Sequence, residues 1–298
     1  MTICCHKSYL FIFFSWALSL PMLTSIAQQV KRPPLIGIAY VELQVKDIEK
    51  AKTFYHSLLG YSIEPASAVT NNGLHAFQIR INQRQSVKIK DGLPPDRNER
   101  LSCLAFQTTD AETLRLYLQS KAVPVPAVLS KEYGMWSFTV TDPDKHTLKF
   151  VQYITNTKEQ AQKAAPVSRR ILHAGLTIAN TPAADSFYAG ILGFSEIWRG
   201  GSTDSITSWI NMRVPEGTDY LEYMLVSGPV NRQQLGGLHH IALMVPDMQQ
   251  ALDTLNGRAA LTGYEMAVPR IGRNKKWQLN LFDPDGTRIE LMEPFPMR

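Results

Sequence analysis

Short runs of strict apolar/polar alternation recur along the C-terminal half of the chain, and each predicts a strand. In His173-Ala174-Gly175-Leu176-Thr177-Ile178 the aliphatic Ala174, Leu176 and Ile178 share one face and leave His173, Gly175 and Thr177 on the other, because successive side chains in a strand point to opposite sides. His240-Ile241-Ala242-Leu243-Met244-Val245 divides the same way, with Ile241, Leu243 and Val245 against a core and His240 with Ala242 opposite. Glu222 is out of phase with Leu221 and Tyr223, and Glu290 with Ile289 and Leu291. Two His and two Glu therefore leave the apolar side together, each His beside a small residue.

Between strands the pattern turns helical after a turn-type residue: Asp47, Asp110, Thr181 followed by Pro182, and Asp247 with Gln250 three positions on as a capping box. Phe54 with Leu58, and Phe187 with Ile191, form the buried stripes of two such helices, which stop at Gly60 and Gly193, where a left-handed residue ends a helix without strain. Alternating strands follow, such as Trp277 to Phe282, then an Asp-Pro turn and a last strand from Arg288 to Met292.

The pattern is written more than once. Ala51 to Ser62 matches Ala184 to Ser195 at an offset of 133, and Asp142-Pro143-Asp144 matches Asp283-Pro284-Asp285 at an offset of 141. Each unit divides again, since Val41 to Asp47 is echoed by Ile241 to Asp247 and more weakly by Leu104 to Asp110. The expected architecture is α+β: four βαβββ modules starting near residues 35, 101, 170 and 237, paired into domains at 35–155 and 170–296. The polar segment 156–169, which contains Pro166 and no strand alternation, is the linker.

Residues 1–27 read as a signal peptide: Lys7, an apolar run from Tyr9 to Leu20, then Ser25-Ile26-Ala27. The run is too short for a comfortable membrane span of about 20 residues, so the mature chain is expected to be exported to the periplasm or outside the cell with no stable membrane anchor. Cleavage lowers the formal charge from +5 to +4 by removing Lys7. No Lys/Arg run interleaved with aromatics appears, so nucleic acid is not an expected partner. Cys4 and Cys5 leave with the leader and Cys103 remains alone, so no intramolecular disulfide is expected. Cys103 reads as a small core residue, and His56, His75 and His146 as surface groups, since none has a partner at ligand spacing. His239 alternates to the side opposite His240 and reads as structural.

His173 precedes Glu222 by 49 residues and His240 precedes Glu290 by 50. One His in a half-exposed strand means little; four matched positions in two copies form a candidate site for one divalent metal, His173, Glu222, His240 and Glu290, with Zn, Fe, Mn, Co or Ni all compatible with mixed imidazole and carboxylate donors. The run Arg270 to Trp277 is either a basic rim at the mouth of that site, favouring an acidic small-molecule substrate, or a solvated hairpin. Trp277 and Trp209, with Trp198 and Arg199, are candidate walls. A homodimer is left open.

The repeated module, the Phe-Tyr and Leu-Gly of its helix (Phe187-Tyr188, Leu192-Gly193), the His that opens a strand and the ending Asp283-Pro284-Asp285-Gly286 with Glu290 resemble the vicinal oxygen chelate superfamily, which includes glyoxalases, epimerases, extradiol dioxygenases, fosfomycin-modifying enzymes and bleomycin-binding proteins. The resemblance covers nearly the whole mature chain and implies a curved sheet per domain, with a divalent metal on its concave face held at His173, Glu222, His240 and Glu290. In the first domain Tyr40, Cys103 and Lys149 stand at three of those positions, and that domain is expected to hold no metal. Three readings follow. The first is a metal-dependent lyase or isomerase acting on a substrate with two neighbouring oxygens, with Glu222 or Glu290 as general base. The second is a ring-cleaving Fe(II) dioxygenase, against which stand Asn280 in place of that family's Tyr and Glu222 as a surplus ligand. The third is a ligand-binding module without catalysis.

Overall fold

The computed structural model describes residues 1–2, 30–65, 75–95, 99–132, 134–154 and 165–297; most of the expected leader and most of the expected linker lie outside them. The first half runs β1 (Leu35–Gln44), α1 (Ile48–Lys52), β2 (Ile63–Pro65), β3 (Ala76–Arg80) and β4 (Ser86–Lys90), then β5 (Leu101–Thr108), α2 (Ala111–Ser120), β6 (Ser130–Glu132), β7 (Met135–Thr141) and β8 (Thr147–Tyr153). The second half repeats this with β9 (Ile171–Ile178), α3 (Thr181–Asp185), β10 (Ser195–Gly200), β11 (Trp209–Arg213) and β12 (Tyr220–Leu225). It continues with α4 (Arg232–Leu238), β13 (His240–Met244), α5 (Met248–Thr262), β14 (Arg270–Ile271), β15 (Trp277–Phe282) and β16 (Arg288–Met292).

Each half folds into one curled, mixed, eight-stranded sheet of two βαβββ modules, in the order β2-β3-β4-β1-β5-β8-β7-β6 and β10-β11-β12-β9-β13-β16-β15-β14. The first strands of paired modules meet antiparallel at the centre, β1 with β5 and β9 with β13, and each is flanked by the last strand of its own module in parallel. Four central strands are thus brought side by side, and a polar residue on any of them faces its counterparts.

Local chemistry explains the helices. Asp47, Asp110 and Asp247 accept hydrogen bonds from the N–H groups that begin α1, α2 and α5, supplying the partners that a helix start lacks. Asn180 rather than Thr181 caps α3. Two features were not expected: α1 and α3 continue as π-helical turns at Thr53–Leu58 and Ser186–Ile191, and α4 forms behind an Asn231/Gln234 capping box. Gly60 and Gly193 end their helices at φ +80° and +81°, as the sequence requires.

One hydrophobic core runs through both halves, from Val41, Phe54 and Phe106 to Leu176, Phe187 and Leu291. The halves also exchange hydrogen bonds in matching pairs. Tyr55 Oη donates to Asp283 Oδ2 at 3.1 Å, and Tyr188 Oη to Asp142 Oδ2 at 2.7 Å. The backbone N–H of Lys46 donates to Asp285 and that of Ala179 to Asp144. Each Asp-Pro-Asp turn is therefore closed by the helix of the opposite half. Replacing Tyr188 by Phe takes from the buried Asp142 Oδ2 one of its two donors, leaving His146 Nδ1, and is expected to cost about 1–3 kcal/mol, read as a lowered chemical-denaturation midpoint at unchanged slope.

His146 departs from the surface role expected of it. It is buried at 4 % exposure beneath this junction, its Nδ1 2.8 Å from Asp142 Oδ2.

Candidate metal centre

The register places the predicted quartet together. His240 pairs with Gly175 and His173 with Ala242 across β9 and β13, while Glu222 lies beside Gly175 and Glu290 beside Ala242. His173 and His240 are fully buried, and their Nε2 atoms stand 3.0 Å apart. Glu222 Oε2 is 3.2 Å from His240 Nε2 and 3.8 Å from His173 Nε2. Glu290 Oε2 lies 3.7 and 3.8 Å from the same two atoms. His173, His240 and Glu290 offer donors that all fall within 4.8 Å of one another, and Glu222 closes the group from the side of His240.

The small residues beside each His have a steric purpose. A Cβ built on Gly175 would lie 2.1 Å from two ring atoms of His240 and 2.8 Å from the Leu238 carbonyl, so glycine is what allows the imidazole to occupy the cup. Tyr220 stacks on His173 with ring centroids 4.5 Å apart and fixes that ring from the other side.

The polar balance fits a cation. His240 Nδ1 is 2.9 Å from the Leu238 carbonyl, which accepts only, so Nδ1 carries the hydrogen and Nε2 of the neutral ring presents a bare lone pair to the carboxylates. Burial holds both imidazoles far below the usual range, so they are neutral. Burial pushes Glu290 up to about 7, helped by the charge of Glu222 and opposed by Arg288. Asn211 Oδ1 and Asn280 Oδ1, beside Glu222 and Glu290 on the neighbouring strands, are buried without hydrogen-bond partners. Acceptors facing acceptors in a buried cup are what a divalent ion satisfies. His173, His240 and Glu290 are the residues that would hold it, with Glu222 beside them at the cavity.

Metal affinity near neutral pH should therefore follow the protonation of Glu290. Below about 7 its carboxyl holds a proton that the ion must displace, whereas the imidazoles, already neutral, have none to release. Affinity is expected to rise about tenfold per pH unit on approaching 7 and then level off; competitive chelator titrations across pH measure it.

A cavity of about 260 Å³ opens over Glu222 and Glu290 and is lined by Trp198, Trp209, Arg270, Arg273 and Arg288 among others. Arg270 and Trp209 are among its lining residues. Trp277 does not line it: it alternates with Gln278 and packs against the core, because Gln278 and Asn280 share the phase of Glu290. Arg288, whose Nη2 is 3.8 Å from Glu290 Oε2, was missed although it lies two residues from Glu290 on the same face. Tyr220, two residues before Glu222, was legible by the same rule.

The first half carries the inverse of this cup. Tyr40 and Cys103 sit at the His positions, and Lys88 and Lys149, by register, at those of Glu222 and Glu290. Lys88 Nζ rests 3.6 Å from the centre of the Tyr40 ring, and burial lowers its pKa to about 8. Burial raises the Cys103 thiol to about 12, so it is a packed side chain and no nucleophile. Two ammonium groups repel a divalent cation.

A family model described as the Glyoxalase/Bleomycin resistance protein/Dioxygenase superfamily matches residues 37–150 and 170–291. The chain belongs to that superfamily, with two tandem copies of its domain. Among solved structures, the 2,3-dioxygenase LapB from Pseudomonas sp. KL28 is 14 % identical, with 89 % of this chain and 96 % of that one covered at a TM-score of 0.66. A Mn(II)-bound glyoxalase from Novosphingobium aromaticivorans is 18 % identical (88 % and 83 % covered, TM-score 0.66). Homoprotocatechuate 2,3-dioxygenase from Brevibacterium fuscum is 19 % identical (88 % and 82 % covered, TM-score 0.64). At these identities the likeness is one of fold. A comparison of the sequence with curated proteins gave no significant match.

Proposed function

We propose that this protein is a divalent-metal-dependent lyase or isomerase acting on a small anion with two neighbouring oxygens. The observation that carries this reading is the second carboxylate: Glu222 stands beside a trio of donors that already makes a site, with its side chain open to the cavity. A divalent ion held by the trio would polarise the substrate's paired oxygens and stabilise the negative charge that develops next to them. Arg270, Arg273 and Arg288 bind the anionic group and hold it over the cup, while Trp198 and Trp209 wall the cavity against water. Glu222 then takes a proton from the carbon beside those oxygens, a transfer worth about 10²–10⁴ in rate.

A panel of 2-keto and 2-hydroxy acids in D₂O tests this. Metal-dependent incorporation of deuterium next to the carbonyl, followed by NMR, is expected for at least one member. Replacing Arg288 by Ala should raise KM about tenfold or more for that substrate, through loss of a charged hydrogen bond.

A second reading is favoured by the compact His173, His240 and Glu290 trio, which has the composition of a two-His-one-carboxylate iron site with open positions. Iron in the purified protein with oxygen uptake on catechols, and no deuterium incorporation, would replace the first reading with a ring-cleaving dioxygenase. Export through the leader 1–27 belongs to the same proposal; N-terminal sequencing of the protein from its native host, starting at Gln28, is the expected result.

A further inference from the structure

A second set of metal-type donors lies at the junction of the two halves and takes no part in the chemistry above. We propose that Glu99, His146 and His239 form a second divalent-metal site, of the kind that takes Zn(II), which ties the two halves together. Glu99 and His146 come from the first half and His239 from the second, immediately before the ligand His240.

The hydrogen bonds around these residues fix where their lone pairs point. Asp142 Oδ1 accepts the backbone N–H of His146 at 2.8 Å, and Asp142 Oδ2 accepts the Tyr188 hydroxyl. His146 Nδ1, 2.8 Å from that same Oδ2, is consequently the donor, and in the neutral ring Nε2 carries the lone pair. Thr177 Oγ1 lies 3.2 Å from His146 Nε2 and 3.0 Å from His239 Nε2. The hydroxyl has one hydrogen to give, and it goes to His146. The bond to His239 therefore runs the other way, with Nε2–H donating to Thr177.

That leaves His239 Nδ1 as a bare lone pair. The residue is 2 % exposed, and the atom has no hydrogen-bond partner. Opposite it, at 3.9 Å, stands Glu99 Oε1, an acceptor facing an acceptor across a gap too wide for a hydrogen bond. With metal–donor distances of about 2.0–2.2 Å, one ion fits between them. Donor atoms of Glu99, His146 and His239 all fall within 4.8 Å of one another. An ion that takes His146 Nε2 replaces the Thr177 contact, and Asp142 behind the ring then plays the orienting carboxylate that metal-bound histidines commonly have. Arg100 is the opposing charge near His239; its Nη1 is turned to the Arg232 carbonyl, and Glu99 and Asp142 together outweigh it.

The test is a Zn(II) titration by calorimetry in parallel with thermal melts, on protein stripped of metal. Wild type is expected to bind two equivalents. A variant with His173→Ala and Glu290→Ala should keep one, and its melting temperature should still rise with Zn(II). Adding Glu99→Gln, at a side chain 39 % exposed and so harmless to the core, should weaken that equivalent at least tenfold, and His146→Gln should do the same. If the first pair of changes unfolds the protein, Glu222→Gln with Glu290→Gln serves in its place. No equivalent left in the cup-disabled variant, or a remaining equivalent indifferent to Glu99→Gln and His146→Gln, overturns the proposal. Neither outcome bears on the cup at His173 and His240, whose own equivalent is read separately.

Discussion

A Gly175→Ala variant is expected to lose the metal of the His173/His240 cup while keeping its fold. The new Cβ would lie 2.1 Å from Cε1 and Nδ1 of His240 and 2.8 Å from the Leu238 carbonyl, and of these only the ring can swing away. In doing so it gives up both the hydrogen bond that sets its tautomer and its position 3.0 Å from His173. Gly175 lies in the middle of β9 and not at a left-handed position, so alanine suits its backbone angles, and the strand should still form with a small shift away from the Leu238 carbonyl. Loss of one well-placed ligand, with misplacement of the rest, should lower metal affinity at least about 100-fold. Elemental mass spectrometry beside far-UV circular dichroism measures both halves of the expectation. Full metal occupancy in the variant would show that the His240 ring is not a ligand in the orientation described.

Glu222→Gln and Glu290→Gln are expected to fail in different ways. Glu290 belongs to the compact trio with both imidazoles, so its amide should bind metal poorly and abolish the rise of affinity up to pH 7. Glu222 flanks the trio, and its amide should leave most of the metal in place while turnover falls about 10²–10⁴-fold, the worth of a general base. A Glu222→Gln enzyme with full metal and undiminished turnover removes Glu222 from the reaction. Loss of metal in both variants equally would instead make the site a four-ligand one with no carboxylate to spare.

Much of this was legible because a strand reports its two faces separately. Period-two alternation placed His173, Glu222, His240 and Glu290 on one side of their strands, and the internal repeat brought the strands that carry them to the centre of one sheet. The same rule, applied two residues further, reaches Tyr220 and Arg288, and it also places Trp277 on the core side with Leu279 and Leu281. The helix caps at Asp47, Asp110 and Asp247 were equally plain. What the sequence hid is contact between distant segments. Asp142 four residues earlier anchors His146 locally, but the burial that depends on Thr177 of the other half has no local mark. The π-helical turns had no residue signal in the apolar/polar pattern, and the Lys88 position emerges only from the pairing of β4 with β1.

The crossed pairs Tyr55 to Asp283 and Tyr188 to Asp142 make the chain a dimer whose subunits share a covalent tether. Cleavage between the two sheets would then leave a nicked molecule, not two free pieces, and separately expressed halves should complement one another only when mixed. The half without the His/Glu cup is held in place by that handshake whatever its own concave face does. Its inner side chains can drift toward another chemistry, as Lys88 and Lys149 illustrate, provided the residues that grip its neighbour stay put.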